Sequence, residues 1–116
     1  MLRKLWAEAF HRALIAATGA DVIVCVDNPA NVRELNDAAA DFGVRPRVLV
    51  EVDSGMKRCG VAPGEPTVAL AKTVDAAPHL RFSGLMAWEG HTVSMADHES
   101  RREEIAKAIG RLTGAA

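Results

Sequence analysis

Residues 47–60 read Arg-Val-Leu-Val-Glu-Val-Asp-Ser-Gly-Met-Lys-Arg-Cys-Gly, an apolar run of strand length that empties into a polar loop holding two glycines. Val48, Val50 and Val52 are β-branched and suit a pleated strand. Gly55 and Gly60 permit the chain to turn tightly at its end. Two other segments repeat the pattern. Asp21-Val-Ile-Val-Cys-Val-Asp27 runs into Asn28-Pro29, and Leu80 to Trp88 runs into Glu89-Gly-His-Thr92. Strands are therefore predicted over 21–27, 47–53 and 80–88. The unbroken apolar character of the first implies that it is covered on both faces.

Helical spacing fills the intervals. Leu2, Leu5, Trp6, Ala9, Phe10, Ala13, Leu14 and Ala17 recur at three and four, which predicts a helix that Gly19 stops. Asn28 or Asn31 caps a second helix, carrying Val32, Leu35 and Ala39 toward Phe42 and ending at Gly43. Val68, Leu70, Ala71 and Val74 place a third over 67–77, which Pro78 closes. A fourth, over 96–112, opens with acidic residues and carries charges at helical spacing. One helix followed by three strand–helix units implies an α/β fold with a parallel sheet and right-handed crossovers. Three strands leave two hydrophobic edges, so the expected structure is either a very small α/β sandwich or a piece of a larger one.

With 116 residues the chain is expected to form a single domain, 1–116. Hydrophobic residues make up 49% and charged residues 25%, the balance of a globular protein. Fourteen basic residues against fifteen acidic ones give a net charge of -1, which excludes a general attraction to nucleic acid or to an anionic membrane. No apolar run approaches the roughly 20 residues of a membrane helix. Glu8, His11 and Arg12 interrupt what would have to be a signal core, so no export is expected. Cys25 and Cys59 match neither a disulfide scaffold nor a zinc site. The expected setting is cytoplasmic, with no metal bound by these residues.

In a parallel α/β protein the working groups sit where strands end and helices begin. Here those ends hold Asp27 and Asn28, then Glu51, Asp53, Ser54, Lys57, Arg58 and Cys59, then Trp88, Glu89 and His91. Glu51 lies within an apolar run and calls for a cation, for which Arg58 is nearest in sequence. Arginine is also the side chain suited to a planar contact with an anionic oxygen. Trp88 stands out in a chain with 4% aromatic residues. Each has a plainer reading: a surface-loop arginine, a strand-end acid, an anchoring indole, a structural histidine. Cys59, beside Lys57 and Arg58, sits where a thiol pKa can fall, and is read with Cys25 as structural.

Glu51-Val-Asp-Ser-Gly-Met-Lys-Arg-Cys-Gly-Val61 resembles the signature loop of fold-type III pyridoxal-phosphate enzymes, and Gly84-Leu-Met-Ala-Trp-Glu-Gly-His91 resembles the next strand of the same barrel. The likeness is to the D-threonine aldolase and D-serine dehydratase group, related to the N-terminal barrel of alanine racemase. It implies a partial (β/α)8 TIM-type barrel in which the three parallel strands correspond to strands 4–6. By the same resemblance the chain is expected to be an internal fragment, lacking the Schiff-base lysine of strand one and the C-terminal domain that would supply a divalent metal.

The resemblance also implies roles. Arg58 matches the arginine that approaches the cofactor's phenolic oxygen and the substrate carboxylate. Glu51 stands where the racemase has a modified, anionic lysine that orients this arginine. Trp88 matches the aromatic position against the cofactor ring, commonly Tyr in the aldolase–dehydratase group and His in the racemase, and an indole supplies no proton for acid–base work. His91 is expected to reach the site by a hydrogen bond. The implied activity is that of a lyase cleaving bonds at the α-carbon of a D-amino acid, with a homodimeric parent and an isolated chain that does not catalyse. A racemase, a non-catalytic pyridoxal-phosphate homeostasis protein and a small α/β interaction module are the alternatives.

Overall fold

The computed structural model describes residues 14–15 and 18–115. The helix expected over 2–17 lies almost wholly outside them, although Leu14 is fully buried in the core. The elements that follow are β1 (Ile23–Val26), α1 (Pro29–Phe42), β2 (Arg47–Glu51), α2 (Glu65–Ala76), β3 (Arg81–Met86), a short 3-10 turn (Gly90–Thr92) and α3 (His98–Ala115).

The strands form one parallel sheet in the order β1-β2-β3. They are shorter than the apolar runs suggest, because polar partners draw the ends away. Asp21 leaves the sheet to grip Arg47 through both carboxylate oxygens, at 2.9 and 2.7 Å. At the other end Met86 accepts the Val52 N–H at 2.8 Å, and the chain then departs toward Trp88. Between β2 and β3 the register slips by one residue, with Val48 opposite Phe82 and Leu49 opposite Gly84. Gly84 takes φ +128° at this bulge, a conformation that L side chains rarely adopt.

Burial alternates along β2, with Val48 and Val50 fully enclosed and Arg47, Leu49 and Glu51 only partly so. The expectation that the first strand is covered on both faces is therefore corrected. Among the described residues the core lies on one face, where Val26, Val48 and Val50 meet Val32, Leu35 and Ala39 of α1 and Leu70 and Val74 of α2. Cys25, read as a core residue, is half-buried on the opposite face.

The helix caps explain the boundaries. Asn28 accepts the Asn31 N–H at 2.8 Å, Pro29 occupies the first turn, and Gly43 closes α1 at φ +65°. α2 begins two residues earlier than the apolar spacing predicts, because Pro66 fits the first turn of a helix. Thr67 Oγ1 donates to the Ala62 carbonyl at 2.9 Å there. Asp97 accepts the Ser100 N–H at 2.7 Å at the start of α3.

Leu35 is fully buried, whereas Ile109 on α3 is 55% exposed. Leu35→Ala is expected to cost about 2–5 kcal/mol, and Ile109→Ala to stay within about 0.5 kcal/mol. Urea unfolding of the two variants checks the assignment of the core to this face.

Candidate active site

Two loops at the carboxyl end of the sheet build the site. The first leaves β2 and is shaped by Asp53, whose Oδ1 accepts the N–H groups of Gly55 at 3.0 Å and Lys57 at 3.1 Å. This Asx-type turn carries the chain through φ +133° at Gly55 and φ +56° at Lys57. At Gly60 the loop folds back onto the strand that launched it. A Cβ on Gly60 would lie 2.6 Å from the Asp53 nitrogen and 2.8 Å from the Val52 carbonyl carbon, so only glycine fits. Its N–H donates to Asp27 Oδ2 at 3.1 Å, and Val61 then pairs beside Val52 as a parallel bridge.

The second loop leaves β3 and holds Trp88. Its indole lies across Gly90, where a Cβ would approach the ring to 2.9 Å and the Met56 sulfur to 3.0 Å. Buried Ser54 ties the loops together, its Oγ donating to the Trp88 carbonyl at 3.4 Å.

The Arg58 guanidinium carbon stands 5.2 Å from the Trp88 ring centroid. Glu51, Arg58 and Trp88 thus line one small cleft, together with Met56 and Cys59. The pairing expected for Glu51 is corrected. Its Oε1 accepts from the Cys59 thiol at 2.9 Å, and no Glu51–Arg58 ion pair forms among the described residues. Lys57 and Arg58 do not bring the pKa of the Cys59 thiol, which the sequence reads as structural, below its ordinary value. The hydrogen bond to Glu51 is the largest influence on Cys59 and, with burial, holds its pKa above the ordinary value despite Arg58 nearby. Cys25 is also raised, first by burial and then by the charge of Glu51.

His91 does not join this cleft. Its Nε2 lies 3.4 Å from Glu104 Oε1, on the α3 side of the first loop, and its buried Nδ1 has no partner. Sequence reasoning passed over Glu104 and Arg111, and it listed Asp27 and Ser54 at the strand ends without giving either a role. The Asp53-Ser-Gly55 spacing signals a turn, but nothing local announces that Arg111 Nη1 donates to the Ser54 carbonyl at 2.7 Å across 57 positions.

Residues 4–116 match the model of the alanine racemase N-terminal domain. The chain belongs to that family. This is the barrel family of fold-type III pyridoxal-phosphate enzymes, and the three parallel strands with their helices are part of such a barrel. The chain is 39% identical over 106 residues to the 3-hydroxy-D-aspartate aldolase of Paracoccus denitrificans (strain Pd 1222), a match covering 91% of this chain and 27% of the relative. It is 37% identical over 89 residues to the D-threonine aldolase of an Arthrobacter species, covering 77% of this chain and 24% of that protein. The solved D-threonine aldolase from Filomicrobium marinum superposes with a TM-score of 0.89 at 34% identity, covering 94% of this chain and 29% of that one. The chain thus spans less than a third of the length of these relatives.

The Asp53 carboxyl is held below its usual range, first by the Gly55 and Lys57 N–H donors, with the charges of Lys57 and Arg111 adding and burial opposing. A pKa depressed in the folded state means that this contribution is complete above the unfolded value near ~4 and is lost as pH falls through the folded value. Amide-exchange protection at Gly55 and Lys57 is expected to drop relative to β2 as pH falls below about 4. In Asp53→Ala that protection should be low throughout and lose its pH dependence.

Proposed function

We propose that this chain is the segment of a pyridoxal-phosphate-dependent D-amino-acid lyase barrel, of aldolase or dehydratase type, that presents a cation and an aromatic face to the cofactor and substrate. The observation that carries the reading is Arg58 over Trp88, at the carboxyl ends of β2 and β3, in a loop that only glycine at position 60 allows. The 3-hydroxy-D-aspartate and D-threonine aldolases among its relatives support the lyase class.

The residues fit the group on its ring side. A guanidinium offers planar donors to a phenolate or carboxylate oxygen, and an indole offers a flat apolar surface to a pyridine ring. Pyridoxal phosphate, when bound, supplies the electron sink for the pair released at the α-carbon. The chain's own residues do the positioning. Arg58 orients the substrate carboxylate, and its contact strengthens as the cleft excludes water. Glu51, steadied by the Cys59 thiol, holds negative charge in the same cleft as the guanidinium. Trp88 braces the cofactor ring and moves no proton. His91 acts on the far side of the loop, as a support.

The described lysines stand elsewhere. Lys57 lines the cleft beside Glu104 and Arg111, Lys72 lines the groove outside β3, and Lys107 donates to Glu104 at 3.4 Å. By the family resemblance, the covalent anchor and any metal belong to parts of the parent outside this chain. The proposal treats the 116 residues alone as inactive, and the parent as a cytoplasmic homodimer acting on a small D-amino acid. Trp88 departs from both the Tyr of the aldolase–dehydratase group and the His of the racemase, and the preference for the lyase rests on the two aldolases among the relatives.

In a full-length barrel carrying this segment, Arg58→Ala is expected to lower turnover tenfold to a hundredfold, the effect of losing a charge-assisted contact of about 1.5–3 kcal/mol. Trp88→Ala is expected to weaken cofactor retention, read by dialysis and absorbance. The 116-residue chain treated with pyridoxal phosphate and borohydride should show no lysine labelled to stoichiometry by peptide mass mapping. Full activity of the Arg58→Ala barrel would sink the reading.

A further inference from the structure

Helix α3 reaches back to both loops of the site. Arg111, near its C-terminal end, donates from Nη1 to the Ser54 carbonyl at 2.7 Å, and Ser54 is itself buried and bonded to the Trp88 carbonyl. Two turns earlier, Glu104 places Oε1 3.4 Å from His91 Nε2 and 3.7 Å from Arg111 Nη1, while Oε2 accepts from Lys107. Although burial opposes it, donors from Lys107 and His91 and the charges of Lys107 and Arg111 hold the Glu104 carboxyl below its usual range. A single carboxylate therefore joins the histidine of the β3 loop to the arginine that grips the β2 loop.

Gly55 shows how closely these groups fit. A Cβ there would stand 2.7 Å from Arg111 Nη1 and 3.0 Å from His91 Cε1, so both side chains lie directly on bare backbone. A side chain there would displace the Arg111 guanidinium that holds the Ser54 carbonyl. A buried carbonyl that loses its charged donor is costly, so the loop that carries Arg58 is coupled to the presence of Arg111. The fork of a guanidinium can serve the carbonyl and the Glu104 carboxylate together, which an ammonium does as a single point.

We infer that Arg111 is a positioning residue: with Glu104 and His91 it latches α3 to the Ser54–Gly55 backbone and thereby fixes where Arg58 stands against Trp88. The inference rests on the role given above to Arg58 and adds a residue 53 positions further along the chain that sets its geometry. Arg111 acts through the loop, by way of the Ser54 carbonyl.

The two thiols of the chain provide the test. Cys59 follows Arg58 in the latched loop and bonds Glu51, whereas Cys25 lies in β1. Their maleimide labelling rates, resolved by peptide mass spectrometry on the 116-residue chain, separate loosening of the loop from loss of the fold. Arg111→Ala is expected to speed Cys59 labelling about tenfold or more through local opening, with Cys25 unchanged. Arg111→Lys should restore part of the protection. In a Trp6→Phe background the emission of Trp88 should shift in Arg111→Ala as the guanidinium leaves its ring, and return toward the original in Arg111→Lys. An unchanged Cys59 rate, or equal acceleration at both cysteines, would overturn the assignment. No cofactor enters these measurements, so a failure of the lyase reading, seen in the Arg58→Ala barrel, remains separate from a failure of the latch.

Discussion

The site depends on the contact of Gly60 with the strand that precedes it. Its α-carbon lies so near the Asp53 nitrogen and the Val52 carbonyl that no side chain can be accommodated, at a φ of +102° that itself favours glycine. Because the chain returns there, Val61 can bridge to Val52, the Gly60 N–H can reach Asp27 on the neighbouring strand, and residues 54–59 are confined to a closed loop. Six residues held at both ends lose little further entropy when Asp53 accepts two of their N–H groups. The guanidinium of Arg58 is thus carried to the ring of Trp88 by backbone geometry, and a long flexible side chain starts from a fixed point.

The sheet beneath is finished on one face. Val48 and Val50 disappear under α1 and α2, while Ile23, Cys25, Leu49 and Glu51 line the other face with partial exposure. A strand that alternates in this way belongs to a sheet with one covered side, and among the described residues β1 and β3 each pair along one edge only. Such edges and such a face are ordinarily closed by further strands. A (β/α)8 barrel provides that closure, turning the half-exposed face into a lumen and the carboxyl ends into a mouth. The groove of about 680 Å³ outside β3, between α2 and the end of α3, has the same origin: Phe82 and Leu85 face a gap that the present helices only partly cover.

Much of this was legible in the residues. Three apolar runs, each followed by a helix, pointed to the strand order and the parallel sense, and Val32, Leu35 and Ala39 were recognisable as the buried stripe of α1. The glycines of the loop, and the acid, arginine and tryptophan that it brings together, could be read from their position at strand ends. What escaped was non-local. Apolar runs alone do not say how many faces are covered, because Leu49 and Cys25 are as apolar as Val48 and Val26 yet face the other way. Nearness in sequence suggested Arg58 as the partner of Glu51, but strand-end geometry placed the Cys59 thiol closer. Arg111 had no signal at all, since its partner carbonyl belongs to backbone 57 positions away.

The pairing of Glu51 with a thiol has an electrostatic consequence. A carboxylate bonded to a cationic partner satisfies that cation, and a cation so satisfied has less to offer an anionic ligand. Here Cys59 gives Glu51 a neutral donor, which lowers the cost of placing a charge at a strand end without consuming the guanidinium. Arg58 is exposed, rests on the Trp88 face and also donates to the Cys59 sulfur. The raised pKa of Cys59 belongs to the same arrangement, because a thiol that loses its proton would set a second negative charge against Glu51. The thiol, the acid that it bonds and the arginine beside it are therefore mutually dependent, and substituting any one of them changes what the other two can bind.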